Sequence, residues 1–206
     1  MSERPLVSIL VPVFNRQELI VTALDSALAQ TYSNIEIVVV DNASTDGTFE
    51  VVQEYARRDN RVRCWRNREN LGAVYNWLKC FEYSEGDYIK FLFSDDWLEP
   101  EAVEYYLAPL LSHPDIGFTY STTMIHFEDS RGVVRDYHQD RMGLMQSFDF
   151  LCGVLTGKPS VPASPGCAMF RRRNVVQGLE CHIPNRLGLA CGQKGIGPDL
   201  LLYLRA

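Results

Sequence analysis

Three polar clusters in the sequence carry groups that can bind a metal ion, a phosphate or a nucleobase. The most specific is Asp95-Asp96, which follows an apolar run. Hard cations such as Mg²⁺ and Mn²⁺ take oxygen ligands and often share them between carboxylates and substrate phosphates. Adjacent side chains of an extended backbone point in opposite directions, so one carboxylate would face a metal and the other a ligand hydroxyl. The competing interpretation is a solvated turn with a helix cap, because two adjacent aspartates are a weak motif.

Two further clusters follow apolar runs in the same way. Asp41 opens the polar segment 41–48, and Asn15 belongs to segment 13–16 after the first apolar run. A carboxylate such as Asp41 can accept a hydrogen bond from a ligand N–H, for example that of a pyrimidine ring. Turn or cap chemistry is the competing interpretation for Asp41 and the favoured one for segment 46–48, because Asp and Ser are common at turns and caps.

Alternating strand and helix patterns place the three clusters at one edge of a predicted sheet. Short apolar runs indicate buried strands, and apolar stripes at helical spacing indicate helices. The predicted order is strand 6–12, helix 16–30, strand 35–40, helix 48–58, strand 61–65, helix 72–83, strand 88–93 and a helix from Pro100 to His113. Four successive βα units predict an α/β fold with a Rossmann-like, mostly parallel sheet flanked by helices. Ligands of such sheets bind beyond the carboxyl ends of the strands, where each cluster lies.

The pattern changes after residue 115. Strands 116–127, 132–137 and 167–170, a helix at 146–155 and a loop at 158–166 predict a mixed extension of the sheet. We therefore divide the chain into an α/β half, residues 1–114, and a second part of the same domain, residues 115–206. A helix from Pro198 would continue its apolar pattern to the last residues, which indicates either a shortened chain or an unusually short natural ending.

Composition excludes several classes of protein. The formal net charge is −6 and the isoelectric point is about 5.2, whereas a nucleic-acid-binding protein is normally basic. The six cysteines form no C-x-x-C pair, so reduced thiols in the cytoplasm are the simplest interpretation, with Cys64 and Cys80 expected to be buried. No apolar run is long enough for a transmembrane segment, which leaves peripheral contact with the inner face of a membrane open.

Three features outside the clusters have two interpretations each. Arg171-Arg172-Arg173 could contact a diphosphate or an anionic lipid headgroup, but solvated surface arginines are the favoured interpretation. Trp97 fits a core position or the border of an acceptor site equally well. His126 has no partner that the sequence makes evident.

Four motifs together resemble glycosyltransferase family 2, a group with the GT-A fold. They read VSILVPVFNR at 7–16, IEIVVVDNASTDGT at 35–48, NLGAVYNW at 70–77 and GDYIKFLFSDDWLEP at 86–100. Their order and spacing over the first half of the chain make the match specific. SPGCAMFRR at 164–172 and GIGPDLLL at 195–202 resemble acceptor-side motifs more loosely. The resemblance implies a nucleotide-sugar-binding half at 1–114 and an incomplete acceptor-side part at 115–206.

The resemblance also implies roles for single residues. Asp41 would bind the base, most often uracil, Asp95 would lie near the ribose, and Asp96 would ligate Mg²⁺ or Mn²⁺. Asp199 matches the acidic position of the catalytic base. The remaining positions that would line or support the nucleotide-sugar site are Pro12, Val13, Asn15, Asn70, Gly72 and Asn76.

The sequence departs from the family at one position. Many members carry Asp-x-Asp-Asp, but Phe93 occupies the first place here, which casts doubt on metal binding by two carboxylates. One carboxylate with diphosphate oxygens and water would still complete a metal site. The implied reaction is a direct displacement with inversion, in which Asp199 deprotonates an acceptor hydroxyl of a saccharide or lipid-linked saccharide. The competing interpretation of Asp199 is a carboxylate favoured at a helix N-terminus.

Two other classes of nucleotide-binding enzyme need motifs that the sequence lacks. A nucleotidyltransferase would need a glycine-rich basic loop after the first strand, and a dehydrogenase would need G-x-G-x-x-G there, but the segment reads VPVFNRQE. A catalytically idle module that binds a nucleotide sugar or docks to a partner remains the alternative.

Overall fold

The computed structural model describes residues 4–127, 132–137, 143–158, 160–162, 164–179, 202–203 and 206. Four parallel strands make up most of its main sheet, in the spatial order β3-β2-β1-β4. They are β1 (Val7–Val13), β2 (Ile35–Asp41), β3 (Val62–Arg66) and β4 (Tyr88–Phe91). The predicted α/β fold with a mostly parallel sheet is therefore confirmed.

Helices cover both faces of this sheet. Those that follow the four parallel strands are α1 (Leu19–Leu28), α2 (Thr48–Arg58), α3 (Ala73–Tyr83) and α4 (Ala102–Ser112). Helices α1, α2 and α4 pack on one face, where Ile20, Val52 and Leu107 lie in the core. Helix α3 packs on the other face through Val74. Helix α2 begins and ends at the predicted residues. Polar residues bound its apolar stripe on both sides, so the sequence pattern defines both ends of the helix.

The second part of the chain completes the same sheet with antiparallel strands. It contains β5 (Phe118–Tyr120), β6 (Thr123–His126), β7 (Val133–Asp136), α5 (Ser147–Thr156), a 3₁₀ turn (Pro165–Cys167), β8 (Ala168–Arg171) and α6 (Arg172–Gly178). Strand β8 lies between β4 and β5 and is antiparallel to both. Strands β6 and β7 form a separate hairpin.

Several predictions for this part were wrong in detail. The single strand predicted at 116–127 is interrupted at Ser121-Thr122, where β5 in the main sheet gives way to β6 in the hairpin. Helix α6 was missed because its sequence, RRNVVQG, contains too few apolar residues to show a stripe. The helix predicted from Pro198 falls mostly on residues outside the described part of the chain.

The arginines of the basic run at 171–173 hold neighbouring segments by hydrogen bonds to their backbone. The Arg171 guanidinium donates to the carbonyl oxygens of Ile116 at 3.1 Å and Leu110 at 2.5 Å, and Arg172 donates to the Gly86 carbonyl at 2.6 Å. The prediction of a solvated face was therefore wrong for Arg171 and Arg172, since both are half-buried and bonded to the backbone.

Two further sequence predictions concern the cysteines and the membrane. The described thiols of Cys64, Cys80, Cys152 and Cys167 are free, with Cys80 buried as predicted and Cys64 only half-buried. Among the described residues, every helix is too short or too polar to cross a membrane.

Candidate functional site

The register of the sheet brings the predicted clusters to one edge. Val13 at the end of β1 pairs with Asp41 at the end of β2, and Phe91 at the end of β4 pairs with Leu10. Because β1 lies between β2 and β4 and all three run in parallel, the segments after them leave from the same edge. Asp95-Asp96 lies four and five residues beyond the end of β4.

The loop after β1 is bonded to the loop after β2. Asn15 has a left-handed backbone with φ of 51°, which asparagine tolerates better than most residues. Its amide N–H donates to Ser44 Oγ at 2.9 Å, and its side-chain oxygen accepts from Thr45 N–H at 2.8 Å. Pro12 and Val13 are buried, so their side chains support this loop from below. The two loops therefore form one ordered wall at the strand ends.

Segment 46–48 is a turn and helix start, as predicted. Asp46 accepts a hydrogen bond from the Thr48 N–H at 3.0 Å and another from the Thr48 hydroxyl. These bonds favour the ionised carboxylate and lower the pKa of Asp46. The adjacent Gly47 N–H donates to Gln17 Oε1 at 3.0 Å, which adds another bond between the two loops.

Asp41 is fully buried and already bonded. Its carboxylate accepts from the N–H and hydroxyl of Ser44 and lies 3.2 Å from Nε of Arg66. Arg66 in turn donates to the Ser44 carbonyl at 2.6 Å and remains 40% exposed. A ligand N–H can reach Asp41 only when one of these partners moves, and Arg66 is the more accessible of the two.

Amide side chains organise the segment that leads into α3. Asn42 donates to Asn70 Oδ1 at 2.8 Å and accepts from Asn67 Nδ2 at 2.9 Å. The Asn70 oxygen also accepts from the Gly72 N–H at 2.9 Å. Gly72 has φ of 85°, a conformation that favours glycine, and α3 begins directly after it.

Asn76 packs beneath this segment. It is buried, donates to the Val40 carbonyl at 2.9 Å and accepts from Asn67 at 2.9 Å. Asn70 is exposed, whereas Asn76 is buried, so only Asn70 can contact a ligand directly. The sequence analysis gave Asn42 no role of its own within segment 41–48 and missed Asn67, although each is a polar residue directly after a strand.

The Asp pair lies in a tight turn. The Asp96 N–H donates to the Phe93 carbonyl at 3.0 Å, so the prediction of extended backbone was wrong: the chain reverses as soon as it leaves β4. Both residues are exposed, and within the described part of the chain neither carboxylate accepts a hydrogen bond or forms an ion pair. Surrounding protein atoms nevertheless desolvate the Asp96 carboxyl, and this effect, followed by repulsion from Asp95, raises its pKa.

A buried lysine underlies this turn and was missed by the sequence analysis. Lys90, in β4, is completely buried, and its ammonium donates to the carbonyl oxygens of Phe91, at 2.8 Å, and Gly166. Burial lowers the pKa of Lys90 to about 8. The Asp96 carboxylate acts in the opposite direction, so the two charges are within electrostatic range of each other.

Phe93, at the position that the family resemblance would give to an aspartate, is a packing residue. Its ring centroid lies 5.4 Å from that of Trp77 in α3, and a Cβ added to Gly166 would meet the same ring at 3.1 Å. Trp97 is 44% exposed, and its ring lies 4.8 Å from that of His126 in β6. The loop after β4 is therefore held by aromatic contacts on both sides of the Asp pair.

The described residues include neither the predicted catalytic base nor a set of three converging metal ligands. Asp199 lies outside the described residues. In the described part of the chain, no three His, Cys, Asp or Glu side chains converge to form a metal site by themselves. A cation bound at Asp96 would therefore need oxygen ligands from a substrate or from water.

The sheet, its two helical layers and the polar loops at the carboxyl ends of the strands define a GT-A fold. The model of the family described as glycosyl transferase family 2 matches residues 8–177. The chain belongs to this family, as the sequence motifs indicated.

Several known proteins resemble this chain in sequence or in fold. The putative glycosyltransferase EpsH of Bacillus subtilis is 42% identical over 106 residues, which cover 51% of this chain and 30% of EpsH. The S. aureus TarS fragment 1–349, solved in complex with UDP-GlcNAc, has a TM-score of 0.61 at 23% identity over 97% of this chain and 53% of that one. A mannosyltransferase from Pyrobaculum calidifontis, solved with GDP-Man and Mn²⁺, has a TM-score of 0.60 at 20% identity over 85% of this chain and 47% of that one. The matched part of the chain thus covers between 30% and 53% of the length of these relatives.

Proposed function

We propose that this chain binds a nucleoside diphosphate sugar at the carboxyl edge of its sheet and transfers the sugar to an acceptor hydroxyl. The observation that carries the proposal is the Asp95-Asp96 turn. Two adjacent carboxylates that have no partner among the described residues lie on the edge that also carries the Asn15 and Asp41 loops. Unpaired like charges at a ligand-binding edge favour a divalent cation and the phosphates it accompanies.

The donor proposed is a UDP-sugar. Asn15, Asp41, Asn70 and Gly72 would surround the nucleoside, with Pro12, Val13 and Asn76 beneath them, and Asp95 would lie near the ribose. The TarS fragment binds UDP-GlcNAc and the Pyrobaculum enzyme binds GDP-Man, so a nucleoside diphosphate sugar is common to two proteins of this fold. Contact between a base N–H and Asp41 requires Arg66 to swing outward.

The residues present fit a Mg²⁺ or Mn²⁺ ion. Such ions need one or two carboxylates when substrate phosphates supply further oxygens, and Asp96 offers an accessible carboxylate that has no competing partner among the described residues. When bound, the cation would neutralise charge on the departing diphosphate. Since Phe93 packs against Trp77, the ligands from the turn after β4 would be Asp96 and, at most, Asp95.

The transfer proposed is a displacement with inversion. An acceptor hydroxyl attacks the anomeric carbon from the face opposite the diphosphate, the new glycosidic bond forms as the bond to the diphosphate oxygen breaks, and Asp199 takes the hydroxyl proton. Residues 1–114 would hold the donor, and residues 115–206 would contribute to the site of a saccharide or lipid-linked saccharide acceptor. The reaction would take place in the cytoplasm, at the inner face of the membrane when the acceptor is lipid-linked.

Calorimetric titration with UDP and GDP, each with and without Mn²⁺, tests the donor site. We expect one of the two nucleotides to bind only with Mn²⁺ present, because Asp96 and the diphosphate share the cation. Asp96→Ala should abolish this binding, and Asp115→Ala, which removes an exposed carboxylate outside the strand-end loops, should not. Binding that is the same with and without the metal, or in both variants, would contradict the proposal.

A catalytically idle binding module is the alternative function. Release of UDP from UDP-GlcNAc, measured in the presence of Mn²⁺, distinguishes the two. Metal-dependent release that is lost in Asp96→Ala supports an enzyme, whereas tight binding without release supports the idle module.

A further inference from the structure

Lys90 is a charged residue buried in an interior strand of the sheet. It lies in β4, which has β1 on one side and β8 on the other, and its side chain is 0% exposed. The ring of Tyr106 from α4 packs against it, with the centroid 5.2 Å from Nζ. A buried ammonium loses its hydration and must regain that free energy from bonds in the protein, whereas an apolar side chain of similar length would not.

The bonds of this ammonium join two segments that are far apart in sequence. Nζ donates to the carbonyl of Phe91, the last residue of β4, at 2.8 Å and to the carbonyl of Gly166 in the 3₁₀ turn. Phe91 leads directly into the turn that carries Asp95 and Asp96. Gly166 belongs to the segment whose sequence resembles an acceptor-side motif. Hydrogen bonds from a charged donor are roughly twice as strong as neutral ones, so this single group is a substantial anchor.

The same two segments also meet through packing. The Phe93 ring lies so close to Gly166 that a Cβ there would meet it at 3.1 Å. The backbone of the 3₁₀ turn is therefore fixed against the start of the Asp turn by a ring on one side and by the ammonium on the other. A side chain without a donor at position 90 would leave the Phe91 and Gly166 carbonyls without this partner.

We propose that Lys90 is a positioning residue for the donor site: its buried ammonium holds the Asp95-Asp96 turn against the Pro165–Cys167 segment. The role of Lys90 in positioning the donor site rests on the proposed function, whereas the anchoring of the two segments is a property of the unliganded protein. Lys90 itself would contact neither the donor nor the metal. It fixes the segment from which Asp96 reaches the cation and couples it to the acceptor-side part of the chain.

Hydrogen exchange of the unliganded protein tests the anchoring directly. The amides of Asp96 and Cys167 donate within the two segments, to the carbonyl oxygens of Phe93 and Ser164, and the amide of Leu98, which follows the Asp turn, donates to Ser26 Oγ in α1. In Lys90→Met these amides should exchange roughly tenfold faster or more, the factor expected for the loss of one hydrogen bond to a charged group. Lys79→Met, which removes a surface lysine paired with Glu82, is the matched control. Equal exchange in the two variants would overturn the proposal.

Nucleotide binding separates a positioning role from a purely structural one. At a temperature well below both melting midpoints, Lys90→Met should weaken Mn²⁺-dependent UDP binding roughly tenfold. A lowered melting midpoint with unchanged UDP binding would show that Lys90 only stabilises the fold. If the unaltered protein binds neither UDP nor GDP with Mn²⁺, the proposed function fails, and the exchange experiment still decides the anchoring. Lys90→Gln, which keeps a donor and removes the charge, replaces Lys90→Met if that variant does not fold.

Discussion

Single residues at the site differ most in whether their charge is already neutralised. Asp41 is buried against Arg66 and Ser44, whereas Asp95 and Asp96 are exposed and bonded to no described residue. The sequence placed all three acids after strands but did not show that Asp41 already has a charged partner, since Arg66 lies 25 positions beyond it and enters through the neighbouring strand. Long-range pairing of this kind follows from register, which the local pattern does not encode.

The buried charge of Lys90 has a measurable consequence for stability. Its pKa falls from the ordinary 10.5 to about 8 on folding because burial disfavours the ammonium. Between these two values the unfolded chain holds a proton that the folded chain has released, so this residue makes the folded state more stable as pH rises. We expect the free energy of unfolding of the unaltered protein, relative to Lys90→Met, to rise between pH 8 and 10 by up to about 1.4 kcal/mol per pH unit.

Urea unfolding of both proteins at a series of pH values measures this difference. Taking the difference cancels the titration of groups that both proteins share, such as Cys80 and Tyr106, whose pKa values burial raises. Parallel stability curves would contradict the assignment of the buried proton to Lys90. The lysine itself was visible in the sequence as a charge inside the predicted strand 88–93, but its partner Gly166 was not.

At the level of elements, the connection into β4 depends on a close backbone approach. Gly86 donates to Ser8 Oγ at 2.8 Å, and a Cβ at this position would lie 2.7 Å from the Ser8 nitrogen and 2.8 Å from the Leu6 carbonyl oxygen. Since backbone atoms of β1 have little room to move, Gly86→Ala should lower the free energy of unfolding by about 1–3 kcal/mol. Chemical denaturation measures this change.

Gly47→Ala is a suitable control for that substitution. Its Cβ would meet only the end of the Gln17 side chain, which can rotate away. A cost at Gly86 no larger than the cost at Gly47 would show that the β1 approach is not a constraint.

Element types in the first half were predictable because each has a periodic pattern of its own. The strands and helices from β1 to α4 were all anticipated within a few residues. The second half was less predictable for a physical reason. Strand β8 takes its place from pairing with β4 and β5, and the break between β5 and β6 reflects a change of sheet, neither of which leaves a periodic signal.

The whole molecule is organised by one shared sheet. Strand β8 lies between β4 of the first half and β5 of the second, so the described parts of residues 1–114 and 115–206 have no sheet edge between them. We therefore expect thermal unfolding in a single transition, with equal calorimetric and van't Hoff enthalpies. Differential scanning calorimetry measures both. Two separate transitions would show that the halves unfold independently.

The late position of β8 in the chain has a consequence for biosynthesis. As the polypeptide leaves the ribosome, β1 to β4 are available long before the strand that covers the outer side of β4. During that interval the ammonium of Lys90 remains hydrated, and the edge of β4 is open to other nascent chains. We expect the pairing of β8 to cover this edge and to complete the burial of the ammonium, so that protection from aggregation depends on a strand pair that is distant in sequence.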